Sequence, residues 1–246
     1  MAYLRDRRSH LIGARILNMA YSAQAIAGDL TSGRAVEVRF SRLRLWSEIV
    51  ICFGLLEVAL WTPRDQQLIW GLIAFGSMIA LTIASRRSLN ELGLGLRGLA
   101  SARVVLPIAF AACALLLVNG WSLGWLHEIR SRNAPLWHGV GYFIWALEQQ
   151  FMAQSFFFIR FESLLGSRRA VWTTAALFCF AHIPNPVLLP ATFIAGLAFS
   201  EAFRRYRNIY PIALAHALLG LTLSAAFPVL WLHRMRVGFG YFLLRH

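Results

Sequence analysis

Val104-Val-Leu-Pro-Ile-Ala-Phe-Ala-Ala-Cys-Ala-Leu-Leu-Leu-Val-Asn-Gly-Trp-Ser-Leu123 is a run of 20 residues without a single charge. At about 1.5 Å of rise per residue, a helix of that length matches the roughly 30 Å hydrocarbon core of a bilayer. Comparable runs lie on either side of it. Leu45–Trp61, ended by Pro63, and Leu68–Ala84 precede it. His138–Ile159, Ala170–Ile183 (stopped by Pro184 and Pro186), Val187–Phe203 and Tyr210–Phe227 follow. The tail Val229–His246 is apolar but holds Arg234 and Arg236, which suits either an imperfect eighth span or an interfacial helix. The expected fold is therefore all-α, a polytopic transmembrane helical bundle of about seven to eight helices.

Composition agrees. Of 246 residues 58% are hydrophobic and 14% charged, against about 25% charged in an ordinary soluble domain. A disordered chain lacks such hydrophobicity, and a soluble domain could not cover this much apolar surface. The net charge of +13 comes entirely from Arg, since the chain has no Lys. Nucleic-acid-binding proteins are basic but not this apolar, so no nucleic acid partner is expected.

The Arg residues instead report topology. With the N-terminus placed in the cytoplasm, the cytoplasmic segments hold 18 Arg: eight in residues 1–44, then Arg86, Arg87, Arg97, Arg103, Arg160, Arg168, Arg169, Arg204, Arg205 and Arg207. The opposite side holds three before the last span, Arg64, Arg130 and Arg132. That is the positive-inside asymmetry of an inner-membrane protein. Residues 1–44 form a basic arm with no uninterrupted signal-like apolar stretch. A short amphipathic helix carrying Ile12, Ile16, Met19 and Ala20 on one face would let it lie on anionic lipid. The membrane domain is then 45–246. Cys52, Cys113 and Cys179 each sit inside an apolar run and read as buried small hydrophobes.

An ionisable side chain deep in a bilayer is costly, and so marks a candidate site. Three lie in the C-terminal half. Measured from the nearest cytoplasmic Arg, Glu148 is roughly 18 Å up its helix, His182 roughly 20 Å and His216 roughly 14 Å. Three side chains from three helices thus reach one level. A carboxylate with two imidazoles can activate water by general-base chemistry, or hold zinc with an open position. Spacing alone does not choose between a metal-free site and a zinc site on Glu148, His182 and His216. Glu48 and Glu57 in the first span must face the bundle interior or an interface. Arg160 and Glu162 read as a solvated helix end.

Leu147 to Leu221 resembles the CPBP family of intramembrane proteases, also called the CAAX-protease and bacteriocin-processing or Abi family. The family pattern is Glu-Glu-x-x-x-Arg, then Phe-x-x-x-His, then His-x-x-x-Asn or Asp. The second motif stands intact as Phe178-Cys-Phe-Ala-His182, and the third keeps its His as His216-Ala-Leu-Leu-Gly220 after Asn208-Ile-Tyr-Pro-Ile-Ala-Leu-Ala. Gly196-Leu-Ala-Phe-Ser-Glu-Ala-Phe-Arg-Arg-Tyr-Arg and Glu91-Leu-Gly-Leu also look familial. The first motif is altered and fits in two registers. One pairs Glu148-Gln149 with Glu-Glu and puts Ala153 at the Arg position. The other pairs Gln149-Gln150, puts Gln154 at the Arg position and is the better sequence match. Gly220 stands where the family has Asn or Asp.

The resemblance implies glutamate-type hydrolysis of peptide bonds inside the membrane, without a cofactor. Its substrates would be membrane proteins, lipoproteins or peptides, with membrane lipids as surroundings. Glu148 or Gln149 would take the base position, His182 would assist, and His216 would donate to the oxyanion. Phe178 would pack the site. The altered motif implies an alternative, a catalytically impaired relative acting as a membrane scaffold or immunity-type protein.

Overall fold

The computed structural model describes residues 41–126 and 136–243. The basic arm and its amphipathic helix, residues 1–40, lie outside the described residues. The chain divides into two units, 1–47 and 48–246. Of the first, 41–47 are described and are helical.

The second unit is helical, with no strand among the described residues. Helix α1 covers 48–61. Pro63 then precedes α2, Arg64–Ala84, where its lack of an N–H costs nothing because a first helical turn has unpaired donors anyway. A 3-10 turn, Leu99–Ser101, leads into α3, Ala102–Ser122. Helix α4, Leu136–Gln150, continues as a π-helical segment, Phe151–Phe158, and then as α5, Ile159–Leu165. Helices α6, Ser167–Phe180, α7, Leu188–Tyr206, and α8, Tyr210–Ala226, complete the bundle.

The tail does not form an eighth span. It breaks into single turns, α9 at Val229–Leu232, a 3-10 turn at His233–Met235 and α10 at Phe239–Phe242. Pro228, Gly238 and a run of left-handed residues at 233–235 prevent a continuous helix.

Two helical stretches, Arg64–Ala84 and Leu99–Ser122, are long and apolar enough to cross a membrane. Their outward faces carry large bare hydrophobes such as Leu68, Ile83, Ile108 and Trp121. Lipid is the solvent that suits such surfaces, and helices satisfy their own backbone groups within it. Of the cysteines, Cys52 and Cys113 are buried and Cys179 is half-buried.

Small residues set the closest approaches. A Cβ built on Gly196 of α7 would lie 3.0 Å from the Ala175 Cα of α6, so a side chain there would push the two helices apart by a few tenths of an ångström. The loop before α3 is tied to the turn before α8. Asn208 donates to the carbonyls of Gly95 and Arg97, both at 2.9 Å, and the Tyr210 hydroxyl donates to Leu94 O. The Ser155 hydroxyl reaches Leu92 O at 2.7 Å. Two stretches that look separately familial, around Glu91 and around Asn208, are thus one contact.

Arg160 departs from the solvated reading. It is buried, donates to Glu48 at 2.8 Å and to Phe156 O at 3.1 Å, and lies 3.5 Å over the Phe156 ring. The π-helical segment just before it turns Arg160 inward. Glu48 accordingly faces the interior, whereas Glu57 accepts from the Trp61 indole N–H at 3.0 Å. Glu162 pairs with Arg207. Removing one partner of a buried ion pair strands the other, at about 3 kcal/mol or more. Arg160→Ala and Glu48→Ala should each lose about that much in detergent unfolding, and Glu48→Leu with Arg160→Met should recover much of it. A single variant within 0.5 kcal/mol of wild type would mean the pair carries no such penalty.

Candidate functional site

A cavity of about 1040 Å³ lies within the second unit, walled by α3, α4, α6, α7, α8 and the tail. Its wall is mostly apolar, and its polar groups are few. Gln149, His182, His216 and Tyr142 all line it. The two imidazoles are gathered about one ring: Phe178 stacks edge-on to His182 at 4.8 Å and to His216 at 5.7 Å between centroids. Phe178 and His182 share a helix face because they are one turn apart. Phe199 of α7 also packs on His216, at 5.7 Å between centroids.

Glu148 is not in this wall. One residue is about 100° of helix, so with Gln149 turned into the cavity Glu148 is turned out of it. Glu148 is half-buried and makes no hydrogen bond or ion pair with the described residues. The carboxylate in the cavity wall is that of Glu201, which is held by Arg204 and Arg205. Among the described residues no three His, Cys, Asp or Glu side chains come together in a group that could hold a metal ion.

Behind the wall runs a neutral hydrogen-bond chain. Gln154 and Gln150 are each about 1% exposed. The Gln154 amide N–H donates to Gln150 Oε1 and to the Ser200 hydroxyl of α7, both at 3.3 Å. Gln150 then presents its amide nitrogen to His216 Nδ1 at 3.1 Å. An amide N–H needs an acceptor, so His216 Nδ1 carries no proton and the ring's N–H is Nε2. His182 is set the other way. Its Nδ1 lies 2.6 Å from the Phe178 carbonyl, which can only accept, so Nδ1 holds the proton and Nε2 is a bare acceptor. The two rings therefore differ: one offers a donor, the other an acceptor.

The structure thus places Gln149, His182 and His216 on one cavity and Gln150 and Gln154 in the layer behind them. Tyr142 and Asn185 were not legible as site residues. Tyr142 precedes Gln149 by two turns, a spacing that gives a shared face and was the available signal. Asn185, between Pro184 and Pro186, is fully buried. It donates to Leu232 O at 2.8 Å and Arg236 O at 3.1 Å, and accepts from the amides of Val187 and Leu188 at the start of α7. It thereby fixes the tail, whose Arg234, Met235 and Val237 form one end of the cavity.

Residues 131–222 match the family model described as Rce1-like, type II CAAX prenyl endopeptidase Rce1-like. That stretch, a little over a third of the chain, carries Tyr142, all three glutamines, Ser200 and both histidines. It is a family of membrane-resident proteases, and the one to which the Phe-x-x-x-His and His motifs pointed. No curated protein and no solved structure matches the chain.

The amide chain can be tested by charge replacement. Gln154→Arg alone buries a guanidinium with no carboxylate beside it and should cost about 3 kcal/mol. Adding Gln150→Glu supplies that carboxylate one turn away and should recover most of the loss. Equal stabilities of the single and double variants in detergent unfolding would show that the two side chains are not coupled.

Proposed function

We propose that this protein is a membrane-embedded binding relative of the intramembrane endopeptidases, one that seats an apolar polypeptide segment and does not cut it by glutamate-activated water. The observation that carries this reading is Gln149 in the cavity wall beside His182 and His216, with Glu148 turned away. An amide cannot accept the proton that a general base must take. The neutral pairing of Gln150 with Gln154 supports it too, since a hydrogen bond between amides keeps the helix geometry without a charge.

Occupants would enter from lipid. α3 packs on α8 and α7 on α6, which leaves the side between α3 and α7. Ile108, Leu115 and Ile194 line the cavity from those two helices, and are also among the most exposed apolar side chains of the chain. The proposed setting is a bacterial inner membrane with the N-terminus in the cytoplasm and the basic arm on anionic lipid. Membrane proteins, lipoproteins or peptides are the proposed partners.

A second reading, an active peptidase, draws on the family match and on the retained His182 and His216. In it the bare Nε2 of His182 would itself accept the proton of water. Sequencing of new protein N-termini in membranes from cells expressing wild type or His182→Ala separates the two. The binding reading expects no N-terminus that depends on His182. A reproducible set of termini present with wild type and absent with His182→Ala would establish cleavage instead.

Orientation has its own test. A fluorescent-protein fusion at the N-terminus should fluoresce, and a phosphatase domain inserted after Leu126 should be active. The reverse pattern would invert the proposed topology.

A further inference from the structure

We infer that the Tyr142 hydroxyl is the group by which the cavity holds a main-chain carbonyl of its occupant; the inference rests on the binding reading above. Gly220 is four residues, about one turn, beyond His216 on α8, so the two are about 6 Å apart along one face. A Cβ built on Gly220 would fall 2.8 Å from Tyr142 Cζ and 2.9 Å from Cε1, and closer still to the phenol oxygen. The Tyr142 ring therefore occupies the space that any side chain at 220 would need. At this place in the wall the polar atom comes from α4 instead of α8.

That hydroxyl is nearly unspent. Its partner among the described residues is Met235 Sδ at 3.9 Å, and a thioether is a weak acceptor. A phenol O–H in an apolar site ordinarily finds a strong partner, because leaving it without one is costly. Here the neighbour facing the same cavity is the His216 Nε2–H, a second donor. The charged groups of the wall are Glu201 and Arg205 of α7 and Arg234 of the tail, whereas these two donors are themselves uncharged and suit a neutral acceptor. In an apolar polypeptide segment the acceptors are main-chain carbonyls, whose N–H groups could in turn be met by the bare Nε2 of His182.

The test uses the full-length protein in dodecylmaltoside micelles and two fluorophore-tagged probes, acetyl-Leu-Leu-Ala-Leu-amide and an alkyl chain of equal length with no carbonyl. Fluorescence anisotropy should give about tenfold weaker peptide binding for Tyr142→Phe, with alkyl binding unchanged. The unchanged alkyl arm shows that the cavity is intact. Gly220→Ala, which displaces the phenol, should weaken peptide binding similarly while Tyr142 remains. Tyr142→Ala with Gly220→Asn, which returns a polar group from α8, should bind the peptide better than Tyr142→Ala alone. Equal peptide affinity of wild type and Tyr142→Phe would overturn the role of Tyr142 and leave the binding reading standing. No saturable peptide binding to wild type would overturn both.

Discussion

The hydrogen bonds that run from Ser200 through Gln154 and Gln150 to His216 join α7, the π-helical continuation of α4, and α8 at the centre of the bundle. They sit where charge is most expensive, and every member is neutral. Gln154 donates both ways, to Ser200 and to Gln150, and Gln150 presents its own amide nitrogen to the imidazole. The protonation pattern of the cavity is thus set from behind, by groups that no occupant touches. A carboxylate at 150 would accept from His216 and reverse that pattern, so the chemistry available at the wall depends on residues in the layer beneath it.

The π-helical segment is the other device on which the site depends. Its wider turn advances the helix faces between Gln150 and Ile159, so that a helix opening with Gln149 toward the cavity closes with Arg160 toward Glu48. Such segments concentrate at functional sites because they re-aim side chains without breaking the helix. One continuous helix thereby serves the cavity with one half and anchors α1 with the other.

Much of the bundle was legible in the sequence because Arg and Pro mark the ends of apolar runs: α2, α3, α7 and α8 fall within a few residues of the expected spans. The tail was less so, because composition does not show how left-handed residues divide it. The site was half legible. The motif phase placed His182 and His216, but Glu148 and Gln149 differ by one step of rotation, and rotation is set by packing against α8. Tyr142 and Gly220 lie on different helices, so nothing local announces that one fills the other's space. Arg160 looked solvated because a regular α-helix would leave it so.

The fixing of the tail by Asn185 has a consequence for biogenesis. The residues that close one end of the cavity, Arg234, Met235 and Val237, are among the last of the described chain to be synthesised, and the amide that holds them was laid down some fifty residues earlier. Until these tail turns emerge from the ribosome, α3 to α8 can be inserted with the cavity still uncapped. Synthesis of the tail and closure of the cavity are therefore one event, and a nascent chain lacking the tail has the cavity open at that end.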